Sequence, residues 1–543
     1  MATISHRDTD QAPIAVIASD GGDRHPWIVA MVVAISTFME VLDTTIAVVS
    51  LRSIAGSLGA GLDESTWILT SYLVANAVVM PVSGWLMTIA GRKRYFMVCT
   101  GLFTLSSLLC GAAPSLFALI AFRILQGASG GGLQPSAQAI LSDAFPPHKR
   151  GQAFALYGVA VVVAPAVGPT LGGWITDNFS WHWIFLINVP VGLLSLVLTQ
   201  IFVTDPPALQ AERHRRLRGG LRIDGVGLAL TVIGLGALEL FLDEGERNDW
   251  FSSPFILGCA ITSAIALVTL VFWEWFHPEP VVEIRLMRDR SFGAAAVMLF
   301  AIGFILYGST QLLPQMLQTL MGYTATWAGL AMTPGGLSTI VAMLVVGFLL
   351  GKAGAQPRNL IIIGLLAQAT ALWIMSGFND QIMYHHAVAA RILQASSLAF
   401  LFVPINTAAF VNIPRTKTNN ASALINVLRN IGGSVGIAVS TSLLSQRSQF
   451  HQHRLVEHLT PYDFSVRQFL DQAGAGLFGL ATDTDMPAAT QSLGVLYGLV
   501  RKQATMMAYV DIYSLMAVIV LSLIPAVFLL RRSHVAASAA MAH

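Results

Sequence analysis

Arg123-Ile124-Leu125-Gln126, set in a run of apolar and small residues, recurs 268 positions later as Arg391-Ile392-Leu393-Gln394. At the same shift Pro146 falls on Pro414, Lys149 on Lys417, Ala153 on Ala421, Ala155 on Ala423 and Gly168 on Gly436. One match of four residues is chance. Matches that continue through two apolar segments and the loop between them mark an internal repeat. A fainter echo pairs Gly84-x-Leu86-x4-Gly91 with Gly347-x-Leu349-x4-Gly354. Two copies at so long a period do not make a solenoid. They predict two related halves facing each other.

Composition says what the halves are made of. Of 543 residues, 55% are hydrophobic and 11% charged, against roughly 25% charged in soluble domains. Too few charges remain to solvate several globular domains, which excludes soluble enzymes and nucleic-acid binders. Apolar runs of about 20 residues, each able to cross about 30 Å of hydrocarbon, recur near 27–51, 66–87, 95–113, 116–141, 152–175, 183–203, 223–243, 255–276, 292–313, 326–350, 359–377, 384–411, 421–445 and 508–530. The expectation is an all-α polytopic membrane protein with fourteen spans. Spans 1–6 (27–203) and 9–14 (292–530) form two six-helix bundles, and spans 7 and 8 (223–276) an inserted hairpin. Tails at 1–26 and 531–543, a basic linker at 204–222, a second linker at 277–291 and a long loop at 446–507 complete the division. Parallel repeats with a site near the midplane between them are the architecture of alternating-access transporters.

Lysine and arginine set the orientation. With both termini cytoplasmic, twenty-one of the 31 cations fall on the cytoplasmic side and seven outside, five of those in the 446–507 loop. Arg123, Arg391 and Arg429 stay within the spans. The polar first 26 residues are no signal peptide, because the apolar run after Trp27 is too long for one; span 1 reads as an uncleaved anchor. Cys99, Cys110 and Cys259 fit neither a disulfide framework nor a zinc site and read as small buried hydrophobes. No Gly-x4-Gly-Lys-[Ser/Thr] phosphate loop, His-Glu-x-x-His or Gly-x-Ser-x-Gly motif is found, so neither an enzyme nor ATP as the energy source is expected.

Ionisable groups within a span cost at least about 2.5–3.5 kcal/mol each and point to function. Glu40 and Asp43 lie three apart on one face of span 1. Apolar surroundings disfavour a charged carboxylate, so such a group can take up and release a proton. Arg123, on the same face of span 4 as Gln126 and Gly127, needs a carboxylate or carbonyls; Asp43 is the expected partner, released on protonation, or else the pair is static. Glu40 either carries protons too or meets cationic cargo. Arg391 and Arg429 read as echoes of the repeat, Glu239 as a hairpin acid that snorkels or touches a bundle, and Asp511 as interfacial. His385-His386 is a lone pair without further ligands.

Ala160, Ala164, Gly168 and Gly172 recur every four residues along span 5, leaving one stripe almost bare for close helix approach. Pro165 and Pro169 remove backbone donors and bend that helix. The second half keeps the stripe as Gly432, Gly436 and Ser440 but carries Gly433 and Ile437 where the prolines stood. Packing is thus common to both halves, and the kink belongs to the first alone.

These residues resemble the major facilitator superfamily, in particular its fourteen-helix drug:proton antiporter branch of the EmrB/QacA type, with Gram-negative EmrB-like exporters nearest. Gly168-Pro169-x-x-Gly172-Gly173 resembles the antiporter motif, and Leu42-Asp43-Thr44-Thr45-Ile46 the span-1 signature of the branch. Arg123-x-x-Gln126-Gly127 resembles the span-4 motif associated with proton transfer. Trp181-x-Trp183-Ile184-Phe185-x-Ile187-Asn188-Val189-Pro190 is similar to the opening of span 6. Gly84-x-Leu86-x4-Gly91-Arg92-Lys93 retains the loop motif between spans 2 and 3, but Thr88 replaces its acid, so the gating salt bridge attributed to that acid does not carry over.

The resemblance implies proton-coupled efflux of hydrophobic or amphiphilic toxic compounds across the inner membrane, with the proton gradient as energy source and no cofactor. Asp43, Arg123 and Glu40 are then the candidate proton-coupling groups. Gly84, Gly91, Arg92, Gly168, Pro169, Gly172 and Gly173 are the conformational motifs, and Asn76, Gln126, Tyr157, Asn188, Gln311 and Asn406 candidate substrate-lining residues. It further implies a periplasmic membrane-fusion adaptor and an outer-membrane channel as partners, the 446–507 loop being either their contact or a simple lid. Export of one metabolite, such as a siderophore or fatty acid, and a non-transporting sensor or scaffold are the alternatives.

Overall fold

The computed structural model describes residues 26–146, 149–205, 210, 213, 224–351, 355–460, 462–477 and 488–530. The expected N-terminal tail up to residue 25, most of the basic linker, Lys352 and the tail 531–543 lie outside the described residues. Every regular element among the described residues is a helix, as a hydrocarbon solvent requires of a chain that must satisfy its backbone internally. The first six are α1 (Pro26–Leu58), α2 (Trp67–Ala90), α3 (Arg92–Gly111), α4 (Leu116–Ala144), α5 (Arg150–Asn178) and α6 (His182–Phe202). The hairpin is α7 (Gly225–Glu244) and α8 (Pro254–Phe276). Then follow α9 (Arg290–Thr319), α10 (Thr326–Gly351), α11 (Pro357–Ser376), α12 (Tyr384–Ala409), α13 (Thr418–Glu457) and α14 (Thr490–Val527). Thirteen are apolar and long enough to cross a membrane; α5, bent by 47° between Pro165 and Val167, makes the fourteenth when its two parts are taken as one span.

Packing repeats with the sequence. In the first bundle α1 packs on α5, α2 on α4, α3 on α4 and α3 on α6; in the second α9 packs on α13, α10 on α12, α11 on α12 and α11 on α14. Every partner is displaced by eight helices. The bundles meet along α2–α13 and α5–α10, and α7 lies on both α2 and α13. Leu235 of α7 joins Met80 of α2 and Val427 of α13 in one buried cluster. Helix ends follow local chemistry. Ser115, Asp224 and Asp289 cap α4, α7 and α9 through their side-chain oxygens, and Pro254 and Pro357 open α8 and α11, where a missing N–H costs nothing.

Several expected boundaries move. Pro26, assigned to the tail, is the first residue of α1, which runs on to Leu58. Span 4 is not one rod: it breaks at Gly131-Gly132 between Leu116–Gly130 and Leu133–Ala144. The 446–507 segment is not a loop throughout. Residues 446–457 continue α13, Phe464–Leu477 is a separate helix, and α14 begins well before residue 508. The polar residues after Leu444 hide the helix because apolarity marks where a helix meets hydrocarbon, not where it stops. Cys99 and Cys110 are buried as expected, whereas Cys259 is half-buried.

Candidate functional site

Two polar clusters stand on one face of α1. At the first, Asp43 is 1% exposed and receives three donors from two helices. Arg123 NH1 lies 2.5 Å from Oδ2, Gln126 Nε2 2.9 Å and Asn188 Nδ2 2.7 Å from Oδ1. Gln126 also donates to Ser107 Oγ at 2.7 Å and accepts from Arg123 at 2.7 Å. Arg123 is fully buried, donates through Nε to the Ile68 carbonyl at 3.1 Å, and sits 4.2 Å from the centre of the Tyr72 ring. Helices α1, α2, α3, α4 and α6 thus converge on one ion pair. Removing two such charges from water costs several kcal/mol per ion, repaid only while both are present and well bonded. Adding a proton to Asp43 would cancel one charge and leave Arg123 without its balance, so protonation is a large local perturbation.

The second cluster reaches across the molecule. Glu40, 2% exposed, accepts from Tyr72 Oη and Asn76 Nδ2 at 3.3 Å each and from Gln134 Nε2 at 2.6 Å. Gln134 Oε1 accepts in turn from Arg429 of α13, so one amide links an acid of the first bundle to a cation of the second. Arg429 is 1% exposed and stands 5.6 Å from the Phe402 ring centre, and Tyr157 stacks on the same ring. Its Nε and NH1 have no hydrogen-bond partner among the described residues. Arg429 is therefore no echo of Arg123: at the repeat shift its counterpart is Val161. The echo is Arg391, which repeats the bond to its own glutamine.

Small residues tie the first cluster to α5. A methyl added at Gly172 would lie 2.7 Å from Ile46 Cγ1 and 3.0 Å from the Ile46 carbonyl oxygen, and one at Gly168 would strike Thr45. Both neighbours are within three residues of Asp43. The same methyl at Gly173 meets Val49 at an ordinary 3.7 Å. Pro169 continues the bent part of α5. In the second bundle Gly432 and Gly436 press on Phe300 and Phe304 of α9, so the bare stripe serves both halves, while α13 stays one helix.

A third contact set closes the face at which α1 begins. Gly91 adopts φ +88°, open to glycine at little cost, and Arg92 follows it. The Arg92 guanidinium pairs with Asp143, donates to the Ala139 carbonyl at 3.1 Å and bonds Asn419 of α13. Asn419 also donates to Thr88 Oγ1 at 3.3 Å, so a neutral hydrogen bond stands where the motif's acid would be. Gly84 lets α2 approach: its added methyl would lie 3.0 Å from Asn420 Cα. Deeper in, Ser422 donates to the Pro135 carbonyl at 2.6 Å, and Gln138 joins Asn426 at 2.7 Å and Asn406 at 3.2 Å.

Of the residues expected to line a substrate path, Gln126 and Asn188 are bonded to Asp43 and Asn76 to Glu40. Tyr157 lies beside Arg429, Asn406 lies in the interbundle network, and Gln311 is exposed and apart. Gln134, Gln138, Asn419, Asn426 and Ser107 were missed; for Gln134 and Gln138 the available signal was two amides in an apolar run just after Gly130-Gly131-Gly132. Glu239 accepts from Ser434 of α13 at 3.0 Å, which makes it a bundle contact rather than a snorkel. Asp511 pairs with Arg447 at 2.6 Å and His451 at 2.7 Å. Among the described residues no group of three His, Cys, Asp or Glu could hold a metal ion.

Comparison with known proteins agrees with this fold. A family model described as Major Facilitator Superfamily matches residues 33–437. The chain is 39% identical over 476 residues to Multidrug export protein EmrB of Haemophilus influenzae, covering 87% of this chain and 91% of that protein. It is 36% identical to Multidrug export protein EmrB of Escherichia coli, covering 82% and 85%. It is 35% identical to Fatty acid resistance protein FarB of Neisseria gonorrhoeae, covering 92% and 95%. Among solved structures, the proton:xylose symporter XylE aligns with TM-score 0.57 at 13% identity over 93% of this chain and 97% of that one, a likeness of fold alone.

Proposed function

The chain belongs to the major facilitator superfamily, and we propose that it is a proton-driven exporter of hydrophobic or amphiphilic toxic compounds, working by alternating access. It is a transporter rather than an enzyme. The observation that carries the coupling is the buried Asp43–Arg123 pair at 2.5 Å, placed against the Gly168–Gly172 stripe of α5. A proton on Asp43 frees Arg123 and loosens the junction of α1, α4 and α6. The same α1 segment bears on α5, which packs along α10 of the other bundle. Proton occupancy and cargo occupancy then favour different arrangements of the two bundles, and the contacts of Arg92, Thr88 and Asn419 close one of them.

By the positive-inside rule the face that carries Lys93, Lys149 and Lys417 is cytoplasmic, and the many apolar helices and the multidrug export relatives support the inner membrane. The extended α13 and α14 with the Phe464–Leu477 helix then face the periplasm, where they offer a surface to a membrane-fusion adaptor and, through it, an outer-membrane channel. The deciding experiment is dye or drug uptake into inverted vesicles, wild type against Asp43→Asn and Arg123→Ala. Uptake that ignores the pH gradient in the wild type, or that keeps its gradient dependence in Asp43→Asn, overturns the reading.

A narrower reading has one acidic lipid as the main cargo. Arg429 favours it, since two of its buried donors have no hydrogen-bond partner among the described residues, and a relative is named for fatty acid resistance. A transport panel of cations, neutral compounds and organic acids separates the two.

A further inference from the structure

The repeat sets Arg391 in the second bundle where Arg123 stands in the first, but the balance of its charge differs. Arg391 NH1 donates to Gln394 Oε1 at 2.8 Å, as Arg123 does to Gln126. In the first bundle Asp43 balances the charge. In the second, Arg391 NH2 reaches only the Thr310 hydroxyl on α9, at 3.3 Å, and no carboxylate among the described residues is ion-paired with it. A guanidinium cannot shed its proton in a protein, and a buried charge left uncompensated is strongly destabilising.

What surrounds it is a surplus of donors. Arg391 Nε, Gln394 Nε2, Gln368 Nε2 and the Tyr513 hydroxyl have no hydrogen-bond partner among the described residues. All four residues are at most 2% exposed. They belong together: Ser397 donates both to Gln368 Oε1 and to the Gln394 carbonyl, and Tyr513 lies beside Arg391. Four helices of one bundle, α9, α11, α12 and α14, supply the cluster. Water could accept from such donors but brings no charge.

We propose that the Arg391 cluster binds a small monovalent anion, chloride in the cell, as the fixed counter-charge of the second bundle. The first bundle balances its arginine with a group that can be protonated; the second balances its own with an ion that cannot. This assignment is independent of whether transport is proton-driven.

The test is thermal unfolding of the purified full chain in chloride, bromide or gluconate at equal ionic strength. The wild type is expected to show a saturable rise in Tm with either halide and none with gluconate. Arg391→Gln is expected to lose that rise. Thr310→Asp supplies a carboxylate at the site; it is expected to lose the halide response while unfolding higher than the wild type in gluconate. It decides the matter if Arg391→Gln does not fold. A wild-type Tm that does not distinguish halide from gluconate overturns the proposal, as does a halide response that survives in Thr310→Asp.

Discussion

Glu40 and Arg429 lie 389 positions apart in the sequence and are joined by one side chain, Gln134, which donates to the acid at 2.6 Å and accepts from the arginine. An amide can do both because it carries a donor and an acceptor. Gln134→Leu should therefore hurt both ends at once. Leaving buried polar groups unmet costs about 1–3 kcal/mol each, so a Tm several degrees lower is expected. Gln134→Glu, which can still accept from Arg429, should recover part of it. Differential scanning fluorimetry reads both.

Asp43→Ala and Arg123→Ala should each destabilise the chain by about 3–5 kcal/mol, because each strands the other charge. The double variant should lose less than the sum of the two. A double-mutant cycle on unfolding midpoints measures the difference, and strict additivity would contradict the buried pair.

Gly172→Ala forces a methyl to 2.7 Å from Ile46 Cγ1 and should cost about 1–3 kcal/mol, together with most of the transport rate. Gly173→Ala meets only ordinary contact and should be within about 0.5 kcal/mol of wild type. Equal effects from the two neighbours would remove the stripe from the coupling argument.

Thr88→Cys with Asn419→Cys, placed where the side chains now approach to 3.3 Å, should cross-link under mild oxidation. Cross-linking should stop transport, and reductant should restore it. Transport that continues at full rate in the cross-linked protein would show that this face need not open.

Removing Phe464–Leu477 while keeping α13 and α14 should leave folding intact and reduce co-purification with a co-expressed membrane-fusion adaptor at least about tenfold, or about 1.4 kcal/mol of binding. Unchanged recovery would move the adaptor contact elsewhere.

Much of this site is legible in the sequence. Asp43 and Arg123 stand out because charge is scarce in apolar spans, and the three-residue spacing of Glu40 and Asp43 sets both on one face. Arg429 stands out for the same reason, but Gln134 and its link to Arg429 do not. Whether an amide on α4 meets an arginine on α13 depends on how two bundles are docked and how each helix is rotated, and no periodicity within one helix records that. The early start of α14 was hidden for a different reason: Arg501 and Lys502 lower the apolarity of a stretch that is helical throughout. That Thr88 stands in place of the motif's acid is plain in the sequence, but its hydrogen bond from Asn419 depends on how the two bundles dock.

The inserted hairpin gives the molecule a sidedness that its repeat lacks. Two matched bundles have two flanks, one along α2–α13 and one along α5–α10. Leu235 and Glu239 of α7 roof the first, touching both bundles there; the second has no such cover among the described helices. A greasy molecule dissolved in the bilayer therefore meets the hairpin on one flank and the packed α5–α10 seam itself on the other.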